Sequence, residues 1–564
     1  MAERNHGGEA VLAALRNLGV DYIISSPGSE WPPVWEALAR QRANEIPGPK
    51  YINCWHETLA VTMAMGYTRV TGRLQAVLLH AGVGVLQGSM GIHGAYISEV
   101  PMLVCSGESI TNGDDPDFDP GAQWYRGLNV VGGVDRWVEP YVKWSHHIPS
   151  PLALYESISR AGEMAQRVPK GPTFLDIPIE VMTPEWTPPA RMGMVAPAPK
   201  TEPAASDVEK VANLLLASSH PVIIAERCGG DLEAYRNLVA LAETLSIPVV
   251  EASGPIYANF PKQHPLHQGY SLRPFMDQAD LFLVVDSQAP WYPPSAGPAT
   301  ATVVVVDEHP IKEQMVYQDL HADLYLEGDV AASLRLLTEA VVSRSGAVQR
   351  QERLDHWQAE HDKRQQGHRE AEAQAETSDP IHPVELCTAI NEVMGQEAVF
   401  VEETITHRQT ILNHIQWTEP QRYFHTTGGL GQGLGLALGV KLAMPEKPVV
   451  ALMGDGSFLY NPVVQSLGVA SESGLPILII VFNNGKYSVM QSIHLGWYPE
   501  GEANTTQDFH GVHIPGPDYQ GLVEPFGGYG QKVERPSELR PALRRALDEV
   551  KSGRTAIVDV VLAF

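Results

Sequence analysis

Short apolar runs separated by helix-length amphipathic stretches recur along the whole chain. In the first part Tyr22-Ile23-Ile24, Gln75 to Leu79, Pro101 to Cys105 and Thr173 to Ile177 read as buried strands. Pro221 to Ala225, Ile247 to Val250, Leu281 to Val285 and Thr302 to Val306 do so in the second. Pro448 to Met453, Pro476 to Phe482 and Ala556 to Val561 follow in the third. Strand alternating with helix predicts an α/β chain of three doubly wound parallel-sheet domains, at residues 1–185, 205–343 and 381–564. The proline-rich, strand-poor stretch Thr183 to Pro203 reads as a linker. Residues 344–380 turn to Gln, Glu, Arg, His and Ala, which predicts a solvated helical connector. No short-period repeat is present, yet the first and third blocks match in size and pattern.

Bulk properties narrow the function classes. A chain of 564 residues accommodates about three domains, each with enough apolar content for a core. The formal charge of −26 comes with no basic block, which argues against nucleic acid or an anionic membrane as partner. Anionic ligands must then be met locally, by a metal or by helix N-termini. Cys54, Cys105, Cys228 and Cys387 lie far apart without Cys-x-x-Cys pairing, so neither a zinc site nor a disulfide framework is expected. The polar start, Met1 to Val11, and the lack of any apolar run near the roughly eighteen residues of a membrane span predict a cytoplasmic protein.

The chemistry concentrates at Gly454-Asp455-Gly456-Ser457, followed about twenty-six residues later by Asn483-Asn484-Gly485. Strand, turn, helix, strand in series make a βαβ unit whose right-handed crossover brings both strand ends to one sheet edge. Asp455 and Asn484 would converge there as hard oxygen ligands of Mg²⁺, leaving other positions to phosphate and water. Gly454 and Gly456 let the backbone approach, and the following helix points free N–H groups at the anion. In this series the chain resembles the thiamine-diphosphate enzymes. The resemblance implies that Asp455, the Asn484 side chain and the Lys486 main-chain carbonyl hold the metal, with Gly454, Gly456 and Ser457 around the diphosphate. It also implies pyrimidine-binding, middle and diphosphate-binding domains, in that order.

Thiamine chemistry requires a carboxylate facing the aminopyrimidine ring, and the resemblance places Glu57 there, in Cys54-Trp55-His56-Glu57. Local sequence fits an ordinary first-turn Glu as well. A Glu enclosed in an apolar pocket would titrate high. Gly428-Gly429-Leu430-Gly431 superficially suggests a dinucleotide fingerprint, but Tyr423 to Thr427 reads as too short and polar for the strand that fingerprint needs. By the resemblance Gly429 and Leu430 lie beneath the cofactor, with Leu430 bending it. Pro27-Gly28-Ser29-Glu30, Leu79-His80-Ala81-Gly82 and Val142-Lys143-Trp144-Ser145 add a likeness to the benzoylformate decarboxylase family. That likeness gives Ser29 and His80 the substrate carboxylate and proton shuttling, although a His at a strand end is often structural.

There are departures from that family. Its second catalytic His corresponds by spacing to Tyr292, a weaker acid at neutral pH. Phe458 to Val464 is longer, and His494 to His513 carries extra Trp, Tyr and His. His146-His147 reads as structural, Asp115 to Asp119 as an acidic surface loop, and His407 with His414 as poorly spaced for a metal. The reading is thiamine-diphosphate- and Mg²⁺-dependent decarboxylation of a 2-oxoacid, with the thiazolium as electron sink and carboligation to 2-hydroxyketones as the branch. Alternatives are an acetolactate-synthase-like carboligase and an acyl-CoA lyase, the latter disfavoured because the chain ends at Phe564 straight after its last strand. The resemblance also implies a homodimer or homotetramer with sites shared between chains.

Overall fold

The computed structural model describes residues 5–109, 118–252, 254–345, 351–376 and 378–563, and the chain divides into two compact units. The first unit comprises Met1–Ala198, Thr426–Glu446 and Leu459–Ile477. Its sheet contains β1 (Tyr22–Ser25), β2 (Lys50–Asn53), β3 (Gln75–Leu78), β4 (Met102–Ser106), β5 (Trp144–His147) and β6 (Pro172–Asp176). All pairs are parallel, in the order β2-β1-β3-β4-β6-β5. From β1 the chain moves outward to β2 and then returns to the other side as β3. That reversal opens a crevice beyond the carboxyl ends of β1 and β3, where doubly wound sheets receive ligands.

Within this unit the helix Glu57–Thr71 packs against Gly433–Ala443 at backbone contact. A Cβ on Gly439 would lie 2.0 Å from the Met63 carbonyl oxygen, and one on Gly66 2.3 Å from that of Leu436. Helix propensity favours Ala over Gly by about 1 kcal/mol. Overpacking costs about 1–3 kcal/mol, and toward the upper end here because the obstruction is backbone, which has no rotamer to yield. Gly439→Ala is therefore expected to lower stability in urea denaturation; a variant as stable as the parent would contradict this packing.

The second unit comprises Pro199–His425, Lys447–Phe458 and Leu478–Phe564 and holds two further parallel sheets. One contains β7 (Pro221–Ala225), β8 (Val249–Val250), β9 (Leu281–Val285), β10 (Thr302–Asp307) and β11 (Leu324–Glu327), ordered β11-β10-β9-β7-β8. The other contains β12 (Val399–Glu403), β13 (Tyr423–His425), β14 (Val449–Gly454), β15 (Leu478–Asn483), β16 (Tyr529–Val533) and β17 (Ala556–Val561), ordered β13-β12-β14-β15-β17-β16. This strand order repeats that of the first sheet, so the likeness of the outer blocks extends to topology. Its switch point lies between β12 and β14.

Tyr423–His425 is a strand after all, fully buried at the sheet edge. Its polar groups are satisfied by Glu402, which accepts from the Tyr423 hydroxyl at 3.0 Å and pairs with His425 Nδ1 at 2.6 Å. The glycine run therefore does follow a strand, but an edge strand away from the switch point. Among the described residues the connector contains the helix Gln351–Ala375, mostly solvated, with His361 and Ala375 buried. The four cysteines are free and buried. Among the described residues no helix is long and apolar enough to cross a membrane.

Candidate active site

In the first unit, the turns after β1 and β3 place Glu30 against His80. Glu30 is fully buried; its Oε2 lies 2.9 Å from His80 Nδ1 and its Oε1 accepts from the Ala81 amide at 2.8 Å. Ala81 has φ +37°, a conformation that a β-carbon resists and that the Glu30 bond helps to hold. A Cβ on Gly28 would lie 2.4 Å from both Glu30 Oε2 and His80 Nδ1, so the Pro27-Gly28 turn requires glycine. The Glu30 hydrogen bond outweighs burial and, with the charges of Glu30 and Glu57, holds the His80 imidazole above its ordinary pKa of 6.5. In the sequence alone Glu30 stands in the Pro27-Gly28-Ser29-Glu30 motif with no role assigned to it. Its mark was an acidic residue just past an apolar strand.

Glu57 opens its helix after β2, as expected, with His56 as N-cap accepting from the Thr58 amide. The expected apolar enclosure is not found in this unit, where Glu57 is only half-buried. Its side chain runs beside the helix Ala81–Ile97, in which Gly84 and Gly88 make room: Cβ atoms there would sit 3.3 Å from Glu57 Oε1 and 3.4 Å from its Cβ. Ser29 is exposed and its hydroxyl accepts from the Gln123 side chain. Gly428, Gly429 and Gly431 all have left-handed φ values, 86°, 137° and 94°, leaving Gly429 exposed and Leu430 half-buried between them. A Cβ on Gly431 would strike the Tyr460 carbonyl oxygen at 2.6 Å, which anchors the loop.

In the second unit, Asp455 closes β14 and starts the helix Asp455–Tyr460 at the switch point. Its carboxylate is 4% exposed and is met by backbone amides, from Gly456 at 2.8 Å and Gly485 at 2.7 Å. Burial pushes its pKa up against these bonds. Asn484 Oδ1 accepts from the Lys486 amide at 3.2 Å, while its Nδ2 faces Ser488 Oγ at 3.2 Å and His407 Nε2 at 3.4 Å. The His407 contact was not foreseen; burial lowers that imidazole to about 4, so it stays neutral and can accept. Gly456 abuts the Tyr487 ring, where a Cβ would lie 2.4 Å away. Gly454 is half-buried and Ser457 buried. Directly after this turn, Met490, Ile493 and Trp497 form one exposed apolar face of the helix Ser488–Trp497.

This donor set fits a small hard cation. A buried carboxylate, a side-chain amide oxygen and a turn carbonyl are oxygen ligands of the kind Mg²⁺ takes, and a dication would supply the charge that burial withholds from Asp455. Tyr292 is 87% exposed. Asp115, Pro116 and Asp117 lie outside the described residues. His414 pairs with Glu372 at 2.8 Å.

Three family models match the chain in order. They are the thiamine pyrophosphate enzyme N-terminal TPP binding domain at residues 5–123, the central domain at 208–337, and the C-terminal TPP binding domain at 404–560. The acetolactate synthase isozyme 3 large subunit of Escherichia coli is 26% identical, over 99% of this chain and 94% of that protein. Benzoylformate decarboxylase of Pseudomonas aeruginosa is also 26% identical, over 97% of both. The crystal structure of benzoylformate decarboxylase from Polynucleobacter necessarius superposes with a TM-score of 0.80 at 23% identity, covering 99% of each chain, and so shares the fold.

Proposed function

The chain belongs to the thiamine pyrophosphate enzymes, and from that premise we propose that it decarboxylates a 2-oxoacid in the manner of benzoylformate decarboxylase, with Mg²⁺ as the metal. The observation that carries this reading is the His80–Glu30 pair. Release of an aldehyde requires a proton to be delivered after CO₂ leaves, and an imidazole whose proton affinity is raised by a buried carboxylate at the switch point is suited to that step. A carboligase needs the opposite, protection from protonation until a second carbonyl compound arrives.

Bound thiamine diphosphate supplies a thiazolium that takes up the electron pair freed by the departing carboxylate. In this reading Asp455, Asn484 and the Lys486 carbonyl hold the magnesium ion, with Gly454, Gly456 and Ser457 against the diphosphate. Leu430, between Gly429 and Gly431, would support the ring system of the bound cofactor. Glu57 holds the proton of the pyrimidine nitrogen. Ser29 and His80 meet the substrate carboxylate, and the apolar face of Met490, Ile493 and Trp497 favours a substrate with an apolar side chain. The family resemblance adds that each site draws on two chains, which makes the enzyme a homodimer or homotetramer.

The test is CO₂ release and product analysis with pyruvate and an aromatic 2-oxoacid. An aldehyde from the aromatic acid is expected; acetolactate from pyruvate as the main product would replace this reading with the carboligase one. A pH profile adds a second test. Because the protonated form of His80 is the active one, turnover should fall as pH rises through a pKa above 6.5. Glu30→Gln removes the largest cause of that elevation and should move the limb to lower pH. His80→Gln should abolish the limb and slow turnover by about 10²–10⁴. The same pair stabilises the fold most fully below the ordinary His pKa, and its contribution fades as pH rises through the elevated one.

A further inference from the structure

The first sheet carries a second group of convergent side chains, at the ends of β4, β6 and β5. Register sets it up: His147 pairs with Asp176 across β5 and β6, and Ser106 pairs with Asp176 from the β4 side, two residues before Glu108. His147 Nδ1 lies 2.7 Å from Asp176 Oδ2. One ligand atom from each of Glu108, His147 and Asp176 falls within 4.8 Å of the others. Glu108 is 1% exposed and Asp176 0%. Glu108 Oε2 and Asp176 Oδ1 meet no donor from any other residue, and the two carboxyl groups hydrogen-bond only to each other there. Two adjacent buried carboxyl groups cannot both ionise cheaply unless a positive charge joins them. Burial first, then the hydrogen bond to Asp176, pushes the Glu108 carboxyl up to about 9; burial raises Asp176 to about 7 against that same hydrogen bond. His147 is 28% exposed at the side chain and gives the cluster its opening to solvent.

We propose that Glu108, His147 and Asp176 bind a divalent cation of the zinc or manganese class. One imidazole nitrogen with two carboxylate oxygens suits these borderline ions, whereas magnesium and calcium prefer all-oxygen sets. The ion takes the two facing carboxyl oxygens, and water completes its coordination. Its ligands bind deprotonated, so binding releases protons and tightens as pH rises.

The experiment uses the full chain saturated with Mg²⁺ and thiamine diphosphate, titrated with Mn²⁺ while free Mn²⁺ is read by electron paramagnetic resonance. One Mn²⁺ per chain is expected, bound about tenfold or more weaker in Glu108→Gln and in the partly exposed His147→Gln, which keeps the test open if the buried variant fails to fold. Asp455→Asn, assayed without thiamine diphosphate, should keep the ion, which separates this site from the magnesium one. A wild-type chain that binds no further Mn²⁺, as for two acids merely sharing a proton, would overturn the proposal. Equal binding by the wild type and both variants would do so too.

Discussion

Asp455→Asn is expected to leave a folded protein that has lost its hold on magnesium and thiamine diphosphate. The carboxylate is buried, receives amides from Gly456 and Gly485, and offers its remaining lone pairs at the switch point of the third sheet. An amide matches its shape but lacks the charge that a dication needs. Partners one shell out from a metal are typically worth 10–100-fold in affinity, so a direct anionic ligand should cost about a hundredfold or more. The apoprotein, by contrast, loses only the backbone hydrogen bonds that one carboxylate oxygen accepts, about 1–3 kcal/mol each. Calorimetric titration of magnesium and cofactor, beside thermal unfolding of the apoprotein, measures both. Wild-type cofactor affinity in the variant would remove Asp455 from the proposed metal site.

Glu57→Gln should do the reverse, retaining cofactor while losing turnover. Glutamine fits the space beside Gly84 and Gly88 and can still hydrogen-bond, but it cannot accept and return a proton. The expected fall in kcat is about 10²–10⁴, the usual range for a group that transfers protons in the reaction, with the cofactor dissociation constant nearly unchanged. A kcat within about tenfold of the parent would reduce Glu57 to the ordinary first-turn glutamate that its position as the first helical residue also fits.

Which strands could be read in the chain follows from where they lie. β3, β4, β6, β7, β9, β10, β14, β15 and β17 are interior strands, covered on both faces, and so nearly continuous in apolar residues. β2, β5, β11 and β16 are edges with partly exposed patterns and leave no such run. β13 looks too polar for a strand because the partners that satisfy its side chains lie on β12, and β12 itself ends in Glu402 and Glu403, which hide its apolar run.

The Gly-Asp-Gly to Asn-Asn series, the start of the Glu57 helix and the parallel α/β class are local matters of spacing and residue type, and the chain alone determined them. The pairing of Glu30 with His80, the seat of His407 beside Asn484, and the meeting of Glu108, His147 and Asp176 join residues far apart in the chain. They depend on strand order and register, which bring remote strand ends to a common edge, and on burial, which turns ordinary acids and imidazoles into groups with displaced proton affinity. Neither quantity exists until the sheets have formed.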